Sequence, residues 1–512
     1  MTSSDPAFFA PARVPVLTAA EMRAWDEQAI NAYGVPERVL MESAGRAVAA
    51  TVQRLYPSGR VVAVTGSGNN GGDAVIAART LWMWGRDVDV VHVGKSPIDA
   101  TLLHGWELYT AQASTALSGA AVILDGLLGT GASGAPTGAY ADAIAAMNAS
   151  GCPIVALDGP SGVELTTGAM PGDAVRADVT VTFGAPKRGL LLFPGRGRAG
   201  RIVAVEIGFP RLAEDGASAR LITPAWAHAV LPPVPPNAHK GTMGKVSIVA
   251  GRRGMAGAAV LAGLGALRAG AGMAALVSPA ANREILQTSL PEALFIDRDV
   301  LEADFLAGSK AAVAGPGMGT DAEALEVLRV IAKESDIPLV LDADAVTLLA
   351  AHPDLRDAIG DRALVLTPHP GEMSRLLRIP IDQVTADPFA AATKAAEDFA
   401  CTVLLKGTPS LVATRGRETL VSVAGHSGLA TGGNGDVLSG VIGAFLARGM
   451  EPWDATGAAL WFAGRAAELA GRGRGLLPTD VADALPAALL EEPARESALG
   501  LPGIVLDLPP AR

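Results

Sequence analysis

The chain has 512 residues, 49% of them apolar and 18% charged, with 60 glycines and 35 prolines. So apolar a composition excludes a disordered chain, and glycine without a three-residue period excludes collagen. A net charge of −11 with no basic block argues against a nucleic-acid partner and against a polybasic membrane anchor.

Short β-branched runs alternate with Ala-rich helical stretches, which predicts an α/β chain with largely parallel sheets. In the first half, strands are expected at 60–66, 87–94, 121–129, 153–159, 178–184 and 201–208. Continuous apolar runs such as VVAV and IVAL fit strands buried on both faces. Residues 211–238 have no clean period and are proline-rich in their second half. They read as a connection, with the boundary near 220. The second half restarts the alternation, with strands expected at 245–251, 274–278, 311–317, 337–344, 363–369 and 402–407. Two shorter strands follow, then a long helix from near Gly435, and after about 490 a helix end and an extended tail. The resulting division is a first domain over 18–218, a proline-rich connection over 219–238 and a second domain over 239–500.

The two cysteines, Cys152 and Cys401, each lie in an apolar stretch and read as small buried hydrophobes. With no disulfide framework, a cytoplasmic setting is expected. No basic, then apolar leader is visible at the N-terminus, and no run of 18 apolar residues predicts a membrane span. HExxH is absent, and seven histidines form no zinc pattern.

The informative glycines sit in loops that follow strands. Gly66, Gly68 and Gly71 match GxGxxG between a strand and a helix, in VVAVTGSGNNGGDAV. Such glycines let backbone amides approach a phosphate at a helix start. An ordinary nicotinamide dehydrogenase is disfavoured, because the next strand does not end in an acidic residue and the loop carries Asn69, Asn70 and Asp73. LDGLLGTGASGAP (124–136) and ALDGPSG (156–162) follow later strands, so all these loops fall on one carboxyl edge of the sheet. Asn70, Asp125 and Ser161 can supply oxygens to a hard cation, although each alone is an ordinary cap or turn residue. GPSGV is no nucleophile elbow, because Val163 stands where a glycine is needed. Lys187 follows the fifth strand on the same edge.

NNGGD, DGLLGTG, DGPSG with a following Thr167–Gly168, and FGAPK together resemble the NAD(P)H-hydrate epimerase family over about 18–215. The resemblance implies a Rossmann-like three-layer fold and interconversion of the R and S forms of hydrated NADH or NADPH, here NAD(P)HX. It further implies potassium at Asn70, Asp125 and Ser161. The hydrated dinucleotide would contact Asn69, Asn70, Gly71, Gly72 and Asp73, then Gly129, Thr130, Gly131, Ala132, Ser133, Gly134 and Ala135, and Asp158. Asp158 and Lys187 are the candidates for proton transfer, a carboxylate and an amine able to act as acid and base. Which takes which role stays open. Ala74 stands where the family often has a further glycine.

In the second half, GGNGD (432–436) precedes the long helix. Amides at that helix start make an anion hole, and Asp436 is placed to act as a base toward a substrate hydroxyl. A helix-capping aspartate is the bland alternative. No GxxxxGK[ST] is present, so this is not a P-loop. GxGD before a helix resembles the ribokinase-like superfamily. HKGTMGKVSIVAGRRGMAGAAVLAG (239–263), LTPHPGEMSRLL (366–377) and LLKGTPSLVAT (404–414) narrow the resemblance to the NAD(P)H-hydrate dehydratases. That resemblance implies phosphorylation of the S hydrate by ADP, with magnesium shielding the phosphates, and elimination of phosphate to restore NAD(P)H. By residue, Ala258, Gly317, His369 and Asp436 would contact the hydrated dinucleotide. Lys406, Gly407, Thr408, Pro409, Ser410 and Gly435 would hold the nucleotide. Arg252 and Arg253 stand where small residues are commoner and could add attraction for phosphate.

The expected whole is therefore a bifunctional repair enzyme, a homo-oligomer whose partners are NAD(P)HX and ADP, with neither nucleic acid nor membrane. Two alternatives stay open at this point. One is a kinase of a small hydroxylated molecule with an N-terminal dinucleotide-binding module. The other makes the N-terminal domain a binding scaffold without turnover.

Overall fold

The structure, a computed structural model, describes residues 8–103, 105, 109–110, 117–210, 216–298, 306–334 and 336–511. The first seven residues and 211–215 of the expected connection lie outside these. The chain forms two compact units.

One unit contains residues 8–220 and, from the far end of the chain, the residues from 494 onward. Its helices α1 (Ala19–Glu27) and α2 (Glu37–Leu55) precede strand β1 (Val61–Thr65), helix α3 (Asn69–Met83) and strand β2 (Val88–His92). Strand β3 (Val122–Gly126), helix α4 (Ala139–Ala149) and strands β4 (Ile154–Leu157), β5 (Val179–Phe183) and β6 (Arg201–Val205) follow. The strands lie in the order β6-β5-β4-β3-β1-β2, every neighbouring pair parallel. β1, β3, β4 and β5 are buried along their whole length, as their unbroken apolar runs demand. The chain leaves β1 toward β2 and returns on the other side of β1 as β3, which makes the β1/β3 boundary the switch point of the sheet.

The other unit contains residues 221–493. Its strands are β7 (Lys245–Val249), β8 (Met273–Ser278), β9 (Leu294–Asp297), β10 (Ala311–Ala314), β11 (Leu339–Leu341), β12 (Leu364–Leu366), β13 (Thr402–Leu405), β14 (Ser410–Ala413) and β15 (Thr419–Ser422). They run in the order β15-β14-β13-β12-β11-β10-β7-β8-β9, with only the β13–β14 and β14–β15 pairs antiparallel. The switch point lies between β7 and β10. Helix α5 (Ala256–Arg268) packs on helix α6 (Asn434–Ala447) through glycine. A Cβ on Gly440 would lie 2.0 Å from the Ala262 carbonyl oxygen, and one on Gly265 would lie 2.3 Å from that of Val437. Only glycine allows this approach, and the approach holds the start of α6 at the carboxyl edge of the sheet.

The structure differs from the sequence reading at both margins of the second domain. Residues 494–500, expected in that domain, belong with the first unit, and the expected extended tail contains a strand, Ile504–Leu508, antiparallel to β6. Its run IVLDL is mostly apolar, and Leu506, Asp507 and Leu508 are buried against that edge. The stretch 219–238, expected as a connection, contains a strand at Ala219–Leu221 and a helix at Pro224–Ala229. Thr223 caps that helix and Trp226 is buried, so this part is packed structure and not a linker. β9 has no counterpart in the sequence reading, because LFID is only half-buried and its pattern is weak. No helix among the described residues is long and apolar enough to cross a membrane.

Candidate active sites

In the first unit, α3 begins at the switch point with Gly68 as its N-cap and no capping side chain. Its first amides therefore have no partner within the helix and are available to an anion. The start is tightly folded: a Cβ on Gly71 would lie 2.1 Å from the Gly66 carbonyl oxygen. Asn69 donates to Glu37 over 2.8 Å. A cavity of about 330 Å³ opens against this loop, lined by Gly66, Gly68, Asn69 and Gly72 together with Glu37 and His92. Gly129, the first residue of the 129–135 loop, lies against Asn70, where a Cβ would come within 3.2 Å of the asparagine's own Cβ. Ala74 meets the backbone of β3, since a Cβ on Gly126 would lie 2.4 Å from the Ala74 Cβ.

Asn70, Asp125 and Ser161 are brought together from α3, β3 and the loop after β4. Asn70 donates to the Leu128 carbonyl over 3.0 Å, and its buried Oδ1 has no hydrogen-bond partner. Asp125 is fully buried and accepts from the Ser161 hydroxyl over 2.6 Å and the Ser161 amide over 2.8 Å. Burial pushes its carboxyl up to about 6, against the lowering effect of the Ser161 hydrogen bonds. An orphaned buried acceptor beside a desolvated carboxyl and a hydroxyl is the donor set that a hard monovalent cation fits.

Lys187 and Asp158 form the second feature of this edge. Lys187 is 1% exposed. Its ammonium donates to Asp158 Oδ1, to the Thr182 hydroxyl over 3.0 Å and to the Phe183 carbonyl over 2.8 Å. All three of its donors are thereby spent. Asp158 Oδ1 also accepts from the Thr182 hydroxyl and the Phe183 amide, whereas Oδ2 accepts from no described residue. Asp158 has a φ of +64°, a left-handed conformation uncommon outside glycine that turns the chain sharply after β4. Two further carboxyls respond to this pair. Asp73 is pushed well above the usual range by burial and then by the negative charge of Asp158 and Asp26, with Lys187 opposing. Asp26, on α1, is pushed up to about 6 by burial, with Lys187 opposing and Asp158 and Glu37 adding to the rise. Sequence reasoning missed Asp26, which sits on an unremarkable amphipathic helix with no motif around it.

In the second unit, the loops after β7 and β10 meet across the switch point. The Gly251 and Arg252 amides donate to the Pro316 and Gly317 carbonyls over 2.8 and 2.6 Å. Gly317 lies on Ala258, where its Cβ would come within 3.0 Å of the alanine's. Helix α6 starts after Gly433 with no capping side chain, as α3 does. A Cβ on Gly435 would lie 3.6 Å from Lys406 Nζ, so the predicted lysine and the predicted glycine loop are neighbours. Asp436 is pushed up to about 7 by burial and by Asp342, with Lys406 opposing and Asp344 adding to the rise. His369 caps the helix Pro370–Leu377: its Nδ1 accepts from the Gly371 amide over 3.0 Å, and its own amide donates to Glu372 over 2.8 Å. Half of its side chain stays exposed. The Ser410 hydroxyl is turned into its own loop, donating to the Gly407 carbonyl over 2.9 Å. Thr408 is exposed and Pro409 buried in that turn.

Asp342 was also missed, yet a signal existed. It follows its strand as LDA, as Asp158 follows its own as LDG, and Asp125 stands in a like LDG at the end of β3. Among the described residues no group of three or more His, Cys, Asp and Glu is arranged to hold a metal.

Comparison with known proteins adds an independent line. A family model described as "YjeF-related protein N-terminus" matches residues 37–189, and one described as NAD(P)H-hydrate dehydratase matches residues 246–487. The bifunctional NAD(P)H-hydrate repair enzyme Nnr of Moorella thermoacetica is 35% identical, over 93% of this chain and 97% of its own. That of Escherichia coli is 34% identical, over 92% of this chain and 93% of its own. A crystal structure of the ADP/ATP-dependent NAD(P)H-hydrate dehydratase from Bacillus subtilis, with ATP and Mg2+, is 28% identical with a TM-score of 0.46. It covers 52% of this chain and 96% of that one. With full-length relatives above 30% identity on both units, the chain belongs to the family of bifunctional NAD(P)H-hydrate repair enzymes.

Proposed function

We propose that the chain repairs hydrated NADH and NADPH, the first unit interconverting the R and S hydrates and the second dehydrating the S hydrate with ADP. One observation carries this reading. Each unit sets a lysine and a carboxyl beside an uncapped, glycine-rich helix start at or near the switch point of its sheet.

In the first unit, the 69–73 amides and the 129–135 loop would hold the phosphates and sugar of the hydrated dinucleotide. Epimerisation requires the ring C–O bond to break and water to add to the opposite face. The ring nitrogen's electron pair supports the intervening cation. Asp158 Oδ2 is the group free to take the proton of the incoming water. Lys187, with its donors spent, fixes the other oxygen of Asp158. Asp26 and Asp73, whose carboxyls keep their protons to higher pH, border the site as proton donors to the leaving hydroxyl. Potassium would be held by Asn70, Asp125 and Ser161, supplying positive charge that offsets the buried carboxyl and joins three loops.

In the second unit, Lys406 to Ser410 and Gly435 would hold ADP, and Ala258, Gly317, His369 and Asp436 the hydrated dinucleotide. Magnesium would come with the nucleotide and shield its phosphates. Asp436 takes the proton of the ring hydroxyl, whose oxygen attacks the β-phosphorus while the bond to AMP breaks. Phosphate then leaves with the C–O electron pair, and the neighbouring ring carbon loses a proton. The products are AMP, phosphate and NAD(P)H. Hydroxide is a poor leaving group and phosphate a good one, which explains why the nucleotide is needed.

The test is incubation with mixed R and S hydrates and ADP or ATP, followed by chromatography and the absorbance of reduced nicotinamide. Both hydrates are expected to disappear with release of phosphate. Consumption of S alone overturns the epimerase half, and consumption of neither overturns the whole reading. A lasting phosphorylated product supports a simple kinase instead.

A further inference from the structure

Asp342 directly follows β11 and is 1% exposed. Its Oδ1 accepts from Lys406 Nζ over 2.7 Å, from the Thr367 hydroxyl over 2.6 Å and from the Ala343 amide over 2.9 Å. The three side chains come from the ends of three adjacent strands, β11, β12 and β13, and form a row along one edge of the sheet. The backbone around Asp342 is fixed on both sides. Its amide donates to the Ala314 carbonyl over 3.0 Å. Ala343 has a φ of +47°, and a Cβ on Gly315 would lie 1.8 Å from the Asp342 carbonyl oxygen. Lys406 is tied in turn by its amide to the Pro368 carbonyl over 2.9 Å. Asp342 Oδ2 accepts from no described residue and faces the start of α6, where a Cβ on Gly435 would lie 3.8 Å from it.

An ion pair with one partner buried is a poor source of stability, because desolvation offsets most of its attraction. This one is held by more constraints than stability needs. We infer that Asp342 is a positioning residue of the second site: with Thr367 it fixes the Lys406 ammonium against Gly435, so that lysine and helix start meet one and the same phosphate. The inference rests on the reading that this site binds ADP. A lysine on a four-carbon stem otherwise samples many rotamers, and phosphoryl transfer depends chiefly on position. Loss of Asp342 leaves the cation in place but unaimed.

The test compares wild type, D342N, K406M and the double variant in the full-length chain. D342N is expected to lower kcat for NADH formation about 10²-fold, the scale of a small misplacement at a reacting centre. KM for the S hydrate should stay within about threefold and epimerisation within about twofold, since neither depends on the Lys406 position. The alkaline limb of kcat/KM should move to lower pH in D342N, because the lysine loses the nearest of the three carboxylates around it, with Glu372 and Asp436 remaining. The double variant should be no worse than K406M alone. If D342N does not fold, T367V carries the test with a loss of about threefold to tenfold, the cost of one supporting hydrogen bond. Unchanged kcat in D342N, an unmoved alkaline limb, or multiplying losses in the double variant would overturn the inference. A wild type that forms no NADH from the S hydrate and ADP overturns the reading of the site itself, and the inference with it.

Discussion

Lys187 directs every donor of its buried ammonium at Asp158, Thr182 or Phe183, and so holds one oxygen of Asp158 while leaving the other free. The carboxylate is therefore the partner that can meet a substrate, and the lysine the one that aims it. Asp158→Asn is expected to lower epimerisation about 10²–10⁴-fold while dinucleotide binding persists. Lys187→Met should also unfold the first unit more readily, by about 3–5 kcal/mol, because it strands a buried carboxylate. Rates of R-to-S conversion and thermal melting check both. Full conversion by Asp158→Asn would overturn the role of Asp158 as the base.

Asn70 and Asp125 predict a pH-dependent response to potassium. Burial raises the Asp125 carboxyl to about 6. In the absence of a cation this group therefore favours the folded unit most below its unfolded pKa, and that contribution is lost as pH rises through about 6. A bound cation offsets the loss. Potassium should raise the melting temperature at pH 7.5 and much less at pH 5, with affinity falling about tenfold per pH unit below 6. In Asn70→Ala the effect of potassium should shrink at both pH values. Melting curves in potassium against tetramethylammonium salts measure it.

Asp436 works as a base only when ionised, and burial together with Asp342 raises its carboxyl to about 7. Dehydration should therefore fall about tenfold per pH unit below 7. The same shift makes the ionised group a cost to the folded state, present as pH rises through about 7. Asp436→Asn should accordingly lose at least about 10²-fold in dehydration yet melt above wild type at pH 8. A variant that loses stability along with activity would show a structural role.

The far end of the chain predicts a long-range effect. Arg201 on β6 donates twice to Asp507, each over 2.7 Å, and the strand Ile504–Leu508 closes that edge of the first sheet. Asp507→Ala should destabilise the first unit by about 1–3 kcal/mol, the scale of hydrogen bonds to a charged group. Removal of residues from 494 onward should impair epimerisation more than dehydration, although the cut lies next to the second unit in sequence. Two-probe melting and separate assays of the two reactions test this.

Much of the architecture was legible because it is local. Alternating apolar runs and Ala-rich stretches announced parallel sheets, and the LDG and GNGD loops marked the edges where ligands would bind. The regions that misled did so for a stated reason. Prolines in 219–238 read as a linker, yet Thr223 and Pro224 begin a packed helix, because proline suits a first helical turn. Gly435 and Lys406 were both named as nucleotide residues, but nothing in their 29-residue separation says that they touch.

By itself the sequence determined the kinds of chemistry available: which strands are buried, which glycine-rich loops precede helices, and that Asp125, Asp158, Lys187 and Lys406 stand near strand ends. These follow from spacing and side-chain type, which the chain carries with it. Only the tertiary structure decided how those groups share protons and charge. It made Lys187 a support for Asp158, gave Asp26 a place beside that pair, joined Asp342 to Lys406 and Thr367, and carried residues 494 onward back to the first sheet. Burial and charge pairing depend on what lies within a few ångströms, and that neighbourhood is set by which strands adjoin and which helices lie against them.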